Sequence, residues 1–205
     1  MSKSKLLEVF RRSILLFSVV AISIMVLPAQ GLFDKMQKEL QLNKGVRFDY
    51  TSTLKDKNGR ALQSNSGSLI VKGRLFRLND QVTAVYNGKT LTYYNPQDNT
   101  LNLSNPAEEE LIQINPFVVI NSARNYYNIQ ENGTQITLNP KKRGNIVKVT
   151  IQLDNRNKPT FINVFMRDSS QLQIKMANQV QVNVSNSTFV LGKRQYPNAE
   201  VVDMR

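Results

Sequence analysis

The stretch VKVTIQL, Val147 to Leu153, decides the fold class. Apolar and polar side chains alternate along it without a break. Successive residues of a strand point to opposite faces. This spacing therefore predicts a β-strand with Val147, Val149, Ile151 and Leu153 on a dry face and Lys148, Thr150 and Gln152 on a wet one. The pattern returns in QLQIKM (Leu172, Ile174, Met176), QVQVNV (Val180, Val182, Val184), SLIVK (Leu69, Val71) and LFRL (Phe76, Leu78). One-sided strands of this kind belong to antiparallel sheets.

Turn residues separate the runs. Asn58-Gly59, Asn87-Gly88 and Asn132-Gly133 each offer the pair that accepts positive φ in a type I′ hairpin. NPKKRGN (139–145) and DNRNKP (154–159) close two further hairpins. Short links between neighbours predict an up-and-down meander of about eleven strands, and so large a sheet curls through its own twist. The expected class is mainly β with a few short α-helices.

Two segments leave the period of two. GLFDKMQKEL, Gly31 to Leu40, places Phe33, Met36 and Leu40 on one helical face. Further on, Pro106 precedes three glutamates, Glu108 to Glu110, which is a helix start. Asn115-Pro116 then begins a second short helix carrying Phe117, Val118 and Ile120. The dry side of the sheet is the one surface able to cover these faces. A curled sheet completely filled by them is a plain globule; loosely covered, it is a box with a lid.

The 205 residues, 40% of them hydrophobic, fit one domain. Their beginning is different in kind. Lys3, Lys5, Arg11 and Arg12 precede an uncharged run from Ile14 to Leu27, followed by Pro28-Ala29-Gln30. This reads as a secretory signal over residues 1–29, cleaved after Ala29, with a single domain over 30–205. The run is shorter than the roughly 20 residues of a membrane span. Cysteine is absent, so neither a disulfide nor a lipid attached to cysteine is available. An exported, unanchored protein of the Gram-negative periplasm is expected.

The formal charge is +12, and +9 without residues 1–29. The bases are scattered; Lys141-Lys142-Arg143 is the one cluster, and it lies in a turn. Solvated hairpin ends explain it, with weak attraction to anionic lipid heads beside that. No nucleic-acid partner is expected of an exported chain.

Catalytic chemistry is thin. Without His or Cys there is no serine–histidine triad, no thiolate nucleophile and no usual zinc set. The carboxylates fall mostly in turns or in the triple glutamate, which disfavours a glycosidase pair. No Gly-rich phosphate loop or calcium loop is present. The expectation is a protein that is not an enzyme and holds no cofactor or metal.

One hairpin gives the pattern a family. YNGKTLTYYNP, Tyr86 to Pro96, resembles a segment of the LolA family, the carriers of outer-membrane lipoproteins. GSLIVKGRLFRL (67–78) is similar to the strand pair before it. NPFVVINSARNYYNIQENGTQITLNPKK (115–142) is similar to the family's central lid helices and following hairpin, and YPNAEVVDMR (196–205) to its last strand. The resemblance covers about residues 31–205. It implies an incomplete antiparallel β-barrel closed by a helical lid. The interior would hold acyl chains of lipoproteins carried from the inner to the outer membrane. The implied partners are acylated lipoproteins, an inner-membrane ABC transporter that releases them, and an outer-membrane acceptor, either LolB-like or of unknown kind. The chain would act as a monomer touching membrane surfaces transiently. Two departures stand out. The family's arginine, taken to hold the lid through backbone hydrogen bonds, has its place in Lys72-Gly73-Arg74, without the following proline and displaced by one position. Arg74 is the candidate for lid-holding, on a strand face opposite to the family's. The family's tryptophan is Thr92 here.

Transport needs no chemical step. An acyl chain gains about 0.8 kcal/mol per CH₂ on leaving water, so a sixteen-carbon chain is held back by about 13 kcal/mol. A carrier must offer a comparable dry surface, released by a lid with two states. The candidate wall is Leu69, Val71, Phe76 and Leu78; Leu91, Tyr93, Leu101 and Leu103; Val149, Ile151, Phe161 and Phe165; Leu172 and Ile174. The candidate lid is Phe33, Met36, Leu40, Phe117, Val118 and Ile120, with Tyr86, Tyr94, Tyr126 and Tyr127 at the rim. A lipid- or peptide-sensing module on the same fold is the alternative, and a second domain after the barrel would mark it. A small hydrolase comes third.

Overall fold

A computed structural model describes residues 30–205. The expected leader, residues 1–29, lies outside the described residues. Helix α1 covers Leu32–Leu40. Six strands follow as a meander: β1 Val46–Lys55, β2 Ala61–Lys72, β3 Leu75–Asn79, β4 Thr83–Tyr86, β5 Leu91–Asn95 and β6 Thr100–Ser104. Helix α2 (Glu108–Ile114), a 3₁₀ stretch (Pro116–Ser122) and the single turn α3 (Ala123–Tyr126) come next. A second meander comprises β7 Tyr127–Asn132, β8 Gln135–Pro140, β9 Ile146–Leu153, β10 Pro159–Met166 and β11 Gln171–Gln181. A 3₁₀ turn (Asn186–Phe189) and β12 (Glu200–Asp203) end the chain.

All twelve strands form one sheet in the order β12-β6-β5-β4-β3-β2-β1-β11-β10-β9-β8-β7. The two meanders join where β1 pairs with β11, and the sheet is an open, curled one rather than a closed barrel. Every pairing is antiparallel except β12 with β6. The covering helices come from the connection between β6 and β7, which runs from one meander to the other. Local signals place them. Glu110 returns its carboxylate to the Ala107 N–H (3.0 Å) to start α2 at Glu108, two residues later than a proline at the first helical position would. Pro116 then opens the 3₁₀ stretch, with the Asn115 side chain accepting the Phe117 N–H at 3.1 Å.

Three sequence expectations need correction. Val147 is 46% exposed, because Ile146 and not Val147 continues the dry face: a bulge opposite Phe165 and Met166 shifts the register there. Val180 is 49% exposed for the same kind of reason. QLQIKM and QVQVNV are not two strands; β11 takes in the first and ends at Gln181 within the second, so Val182 and Val184 lie beyond it. Asn178 and Gln179 together oppose Phe48, with Asn178 at φ 49, and the alternation reverses after them. Finally, no Asn-Gly pair forms a type I′ turn, since all three asparagines stay at negative φ.

The concave face holds the main core: α1 contributes Phe33, Met36 and Leu40, all fully buried, against strands of both meanders. A smaller core lies on the convex side of β3–β6. There Phe189, Leu191 and Ala199, from the segment after β11, cover Val85 and Leu101. Tyr196 stacks on Tyr94 at 3.6 Å between ring centroids.

Candidate functional site

The concave face divides along its strands. In β1, Phe48 is sealed in the core, while Tyr50, Ser52 and Leu54 face an open volume. In β2, Val71 is sealed and Leu69, Asn65 and Gln63 are open; in β3, Phe76 is sealed and Leu78 open. The cavity so left measures about 440 Å³, within the ~300–1,000 Å³ usual for ligand pockets. Val82, Ala84, Leu91 and Tyr93 extend the wall on one side, and Met166, Leu172, Ile174 and Met176 on the other. Ile114, Pro116 and Phe117 cover it. Phe117 also stacks flat on Phe48, centroids 4.8 Å apart, so one ring separates the packed end from the open one.

The packed end is tied down by polar contacts. The N–H groups of Leu32 and Phe33 donate to the Glu131 carboxylate at 2.7 and 2.9 Å, which satisfies two of the four free donors at the start of α1. Arg124 pairs with Asp34 at 2.6 Å. Gln37 Nε2 donates to the Ile120 carbonyl at 3.0 Å, so α1 holds the backbone of the 3₁₀ stretch. At the far end Gln181 Nε2 donates to the Leu40 carbonyl, also at 3.0 Å.

Of the expected wall residues, Leu69, Leu78, Leu91, Tyr93, Leu172 and Ile174 line the cavity. Val71, Phe76, Val149 and Ile151 share that face but are packed solid, 0–2% exposed. Leu101, Leu103, Phe161 and Phe165 lie on the opposite face. Pairing of Tyr94 with Leu101 and Thr92 with Leu103 sets the first two against the outward residues of β5. Ile162 opposite Ile174 and Ile151 takes the inward place in β10, leaving Phe165 outside under the Lys148 ammonium, 4.3 Å from its ring centre. Among the expected lid residues only Phe117 reaches the cavity; Phe33, Met36, Leu40, Val118 and Ile120 are buried core. The expected rim tyrosines scatter: Tyr126 is exposed, Tyr86 and Tyr127 are buried, and Tyr94 belongs to the convex side.

Arg74 is not in a strand. It is the second residue of the two-residue turn between β2 and β3, whose Gly73 takes φ +60. From that tip its guanidinium forks onto Glu108, in the first turn of α2, at 2.8 and 3.4 Å. This partner, more than any other contact, raises the arginine's pKa. The contact to the covering helices thus runs through a side-chain carboxylate rather than through backbone.

The polar end of the cavity carried no signal in the sequence pattern. Ser52 and Asn65 are cross-strand partners, and Gln63 opposes Leu54, all inward. Tyr50 donates its hydroxyl to Asp80 Oδ2 at 2.6 Å. Burial, then the hydrogen bond to Asp80 and its negative charge, push the phenol far above its ordinary pKa, so it stays a donor. Asp80 Oδ1 accepts the Val82 N–H at 3.0 Å. Gly67 makes the approach possible: a Cβ there would stand 2.8 Å from Asp80 Cβ and 2.2 Å from the Asn79 oxygen. Among the described residues no cluster of three or more metal-ligating side chains occurs, and no helix is long and apolar enough to cross a membrane.

The profile of the family described as outer membrane lipoprotein carrier protein LolA matches residues 42–191. The outer-membrane lipoprotein carrier protein of Actinobacillus succinogenes is 29% identical over 133 residues, 59% of this chain and 62% of that one. The protein of the same name from Cronobacter sakazakii is 28% identical over 188 residues, 85% of this chain and 89% of the other. The chain thus spans less than two thirds of the Actinobacillus relative and most of the Cronobacter one. Two solved structures share the fold. An uncharacterized conserved protein from Thermus thermophilus superposes with a TM-score of 0.53 at 11% identity, over 85% of this chain and 98% of that one. A LolA superfamily protein from Nitrosomonas europaea gives 0.51 at 9%, over 80% and 97%. With its profile match spanning most of the chain, this protein belongs to the LolA family of outer membrane lipoprotein carriers.

Proposed function

We propose that this chain is a carrier that holds the acyl chains of lipoproteins in the cavity under α2 and the 3₁₀ stretch, and that no catalysis is involved. One observation carries the reading: about 440 Å³ of the concave face, walled mainly by Leu, Ile, Met and aromatic side chains, is left unfilled by the protein's own residues. Leu69, Leu78, Leu91, Tyr93, Leu172 and Ile174 are the wall and Phe117 the movable cover. Burial of a hydrocarbon tail there replaces water contact at about 0.8 kcal/mol per CH₂. Release follows from a cover with two positions. Arg74, gripping Glu108, restrains the cover from the rim.

The route we propose is periplasmic. Residues 1–29 act as a cleaved export signal, an inner-membrane ABC transporter loads the carrier, and an outer-membrane acceptor unloads it. Scattered positive charge allows brief contact with anionic membrane surfaces. Purification under native conditions, followed by mass spectrometry, tests the cavity. The wild type should retain acylated protein, and Leu91→Glu, which puts a charge on the apolar wall, should retain none. Equal recovery from both overturns the proposal. Recovery of free lipid alone from the wild type would instead favour a sensing module on the same fold.

A further inference from the structure

The chain is strongly basic, yet the cavity is not. No lysine or arginine lines it among the described residues, and its one charged lining side chain is Asp80. No ion pair within 4.0 Å involves Asp80 among the described residues, although six others are formed. The carboxylate is positioned, not stray. Tyr50 and the Val82 N–H hold one oxygen each, and Gly67 clears the space through which the turn reaches over β1 and β2. Each oxygen keeps a further lone pair. Around it Ser52, Asn65 and Gln63 supply neutral donors and acceptors, and beyond them the wall is apolar. The cavity is therefore amphipathic, with a single negative charge at its polar end.

From this arrangement we infer that the polar end selects a ligand whose head group carries a primary ammonium next to its acyl chains, and turns away anionic head groups. The inference rests on the acyl-binding reading above and assigns its head-group chemistry. Asp80 is the recognising group, Tyr50 positions it, and Ser52, Asn65 and Gln63 take the ester and amide groups that join head to tail. Such a site addresses a physical problem of any carrier beside membranes: acyl chains are common to every lipid, so discrimination has to come from the head. The ammonium can be the α-amine of a diacylated N-terminal residue or the amine of an ethanolamine head.

Displacement of a fluorescent fatty acid from the purified chain by four probes tests it. They are a dipalmitoyl-glyceryl-cysteine peptide with a free α-amine, the same peptide N-acetylated, dipalmitoylphosphatidylethanolamine and dipalmitoylphosphatidylglycerol. The member bearing the ammonium should bind about tenfold tighter in at least one pair, the size of one hydrogen bond to a charged group. The pair that shows it identifies the source. Asp80→Asn keeps an oxygen for Val82 but not the charge, and should level the difference. Equal binding within both pairs by the wild type overturns the inference, as does a preference that survives in Asp80→Asn. If that variant fails to fold, the wild-type ratios decide alone. Failure of all four probes to bind strikes the carrier reading itself, a distinct result.

Discussion

The two ends of the concave face are built from the same strands and end up opposite in character. At one end Phe48, Val71 and Phe76 are fully buried, in one core with Phe33, Met36 and Leu40 of α1. At the other, Leu69, Leu78 and Leu91, on β2, β3 and β5, keep 5–8% exposure around open space. Strand chemistry differs in part, since Ser52, Asn65 and Gln63 face inward at the open end, and the roof differs with it. A nine-residue amphipathic helix brings three large side chains to the packed end. The seven-residue α2 and the 3₁₀ stretch bring Ile114, Pro116 and Phe117 to the open one. The hollow in this protein is thus a deficit of roof, set by which helix lies where, above a wall that is itself partly polar.

Truncation should break the symmetry most. Leu40→Ala removes a side chain with neighbours on all sides and should cost about 4–5 kcal/mol, whereas Leu78→Ala, already facing space, should cost about 2–3 kcal/mol. Denaturant unfolding of both variants measures the difference, and equal losses would mean that the cavity is filled in solution. Enlargement should act the other way. Val71→Phe overfills the packed end and should destabilise by about 1–3 kcal/mol, while Ala84→Leu, pointing into the cavity, should be neutral within about 1 kcal/mol. The same Ala84→Leu change should weaken displacement by an acyl probe, which binding measurements on the folded variant would check.

The division between the ends was only partly visible in the sequence. Alternation reported the dry face wherever that face is purely apolar, as at Leu69 to Val71, Phe76 to Leu78 and Val149 to Leu153. It failed at two bulges, because an extra residue reverses the faces and leaves the period of two looking intact; Val147 and Val180 are the casualties. In FINVFM both faces carry large apolar side chains, so pairing with Ile151 and Ile174 had to choose between Phe161/Phe165 and Ile162/Val164. Leu101 and Leu103 alternate as well inward as outward until the register with β5 fixes them. The polar end of the cavity was illegible for the converse reason: an inward Ser52, Asn65 or Gln63 looks like any solvent-facing residue. The contacts that fix the roof, Gln37 to Ile120 and Glu131 to the start of α1, join residues 83 to 99 positions apart, a separation at which local patterning carries no information.

The smallest effect expected concerns the link between the ends. Arg74 sits at a hairpin tip beside the packed end and reaches Glu108, where the cover of the open end begins. Both side chains are more than a third exposed, so solvent screens the pair and Arg74→Ala should cost about 0.2–1 kcal/mol in global unfolding. Its effect should concentrate instead on motion of the cover, because the lost contact belongs to the closed position alone. Release of a bound fluorescent fatty acid should therefore quicken in Arg74→Ala by up to about fivefold, the whole worth of such a pair. The exchanged pair Arg74→Glu with Glu108→Arg should recover the slower release, and Arg74→Lys, lacking the fork, should recover it in part. Identical release from all four proteins would mean that the cover is held by α1 through Gln37, and the packed end would then govern the open one directly.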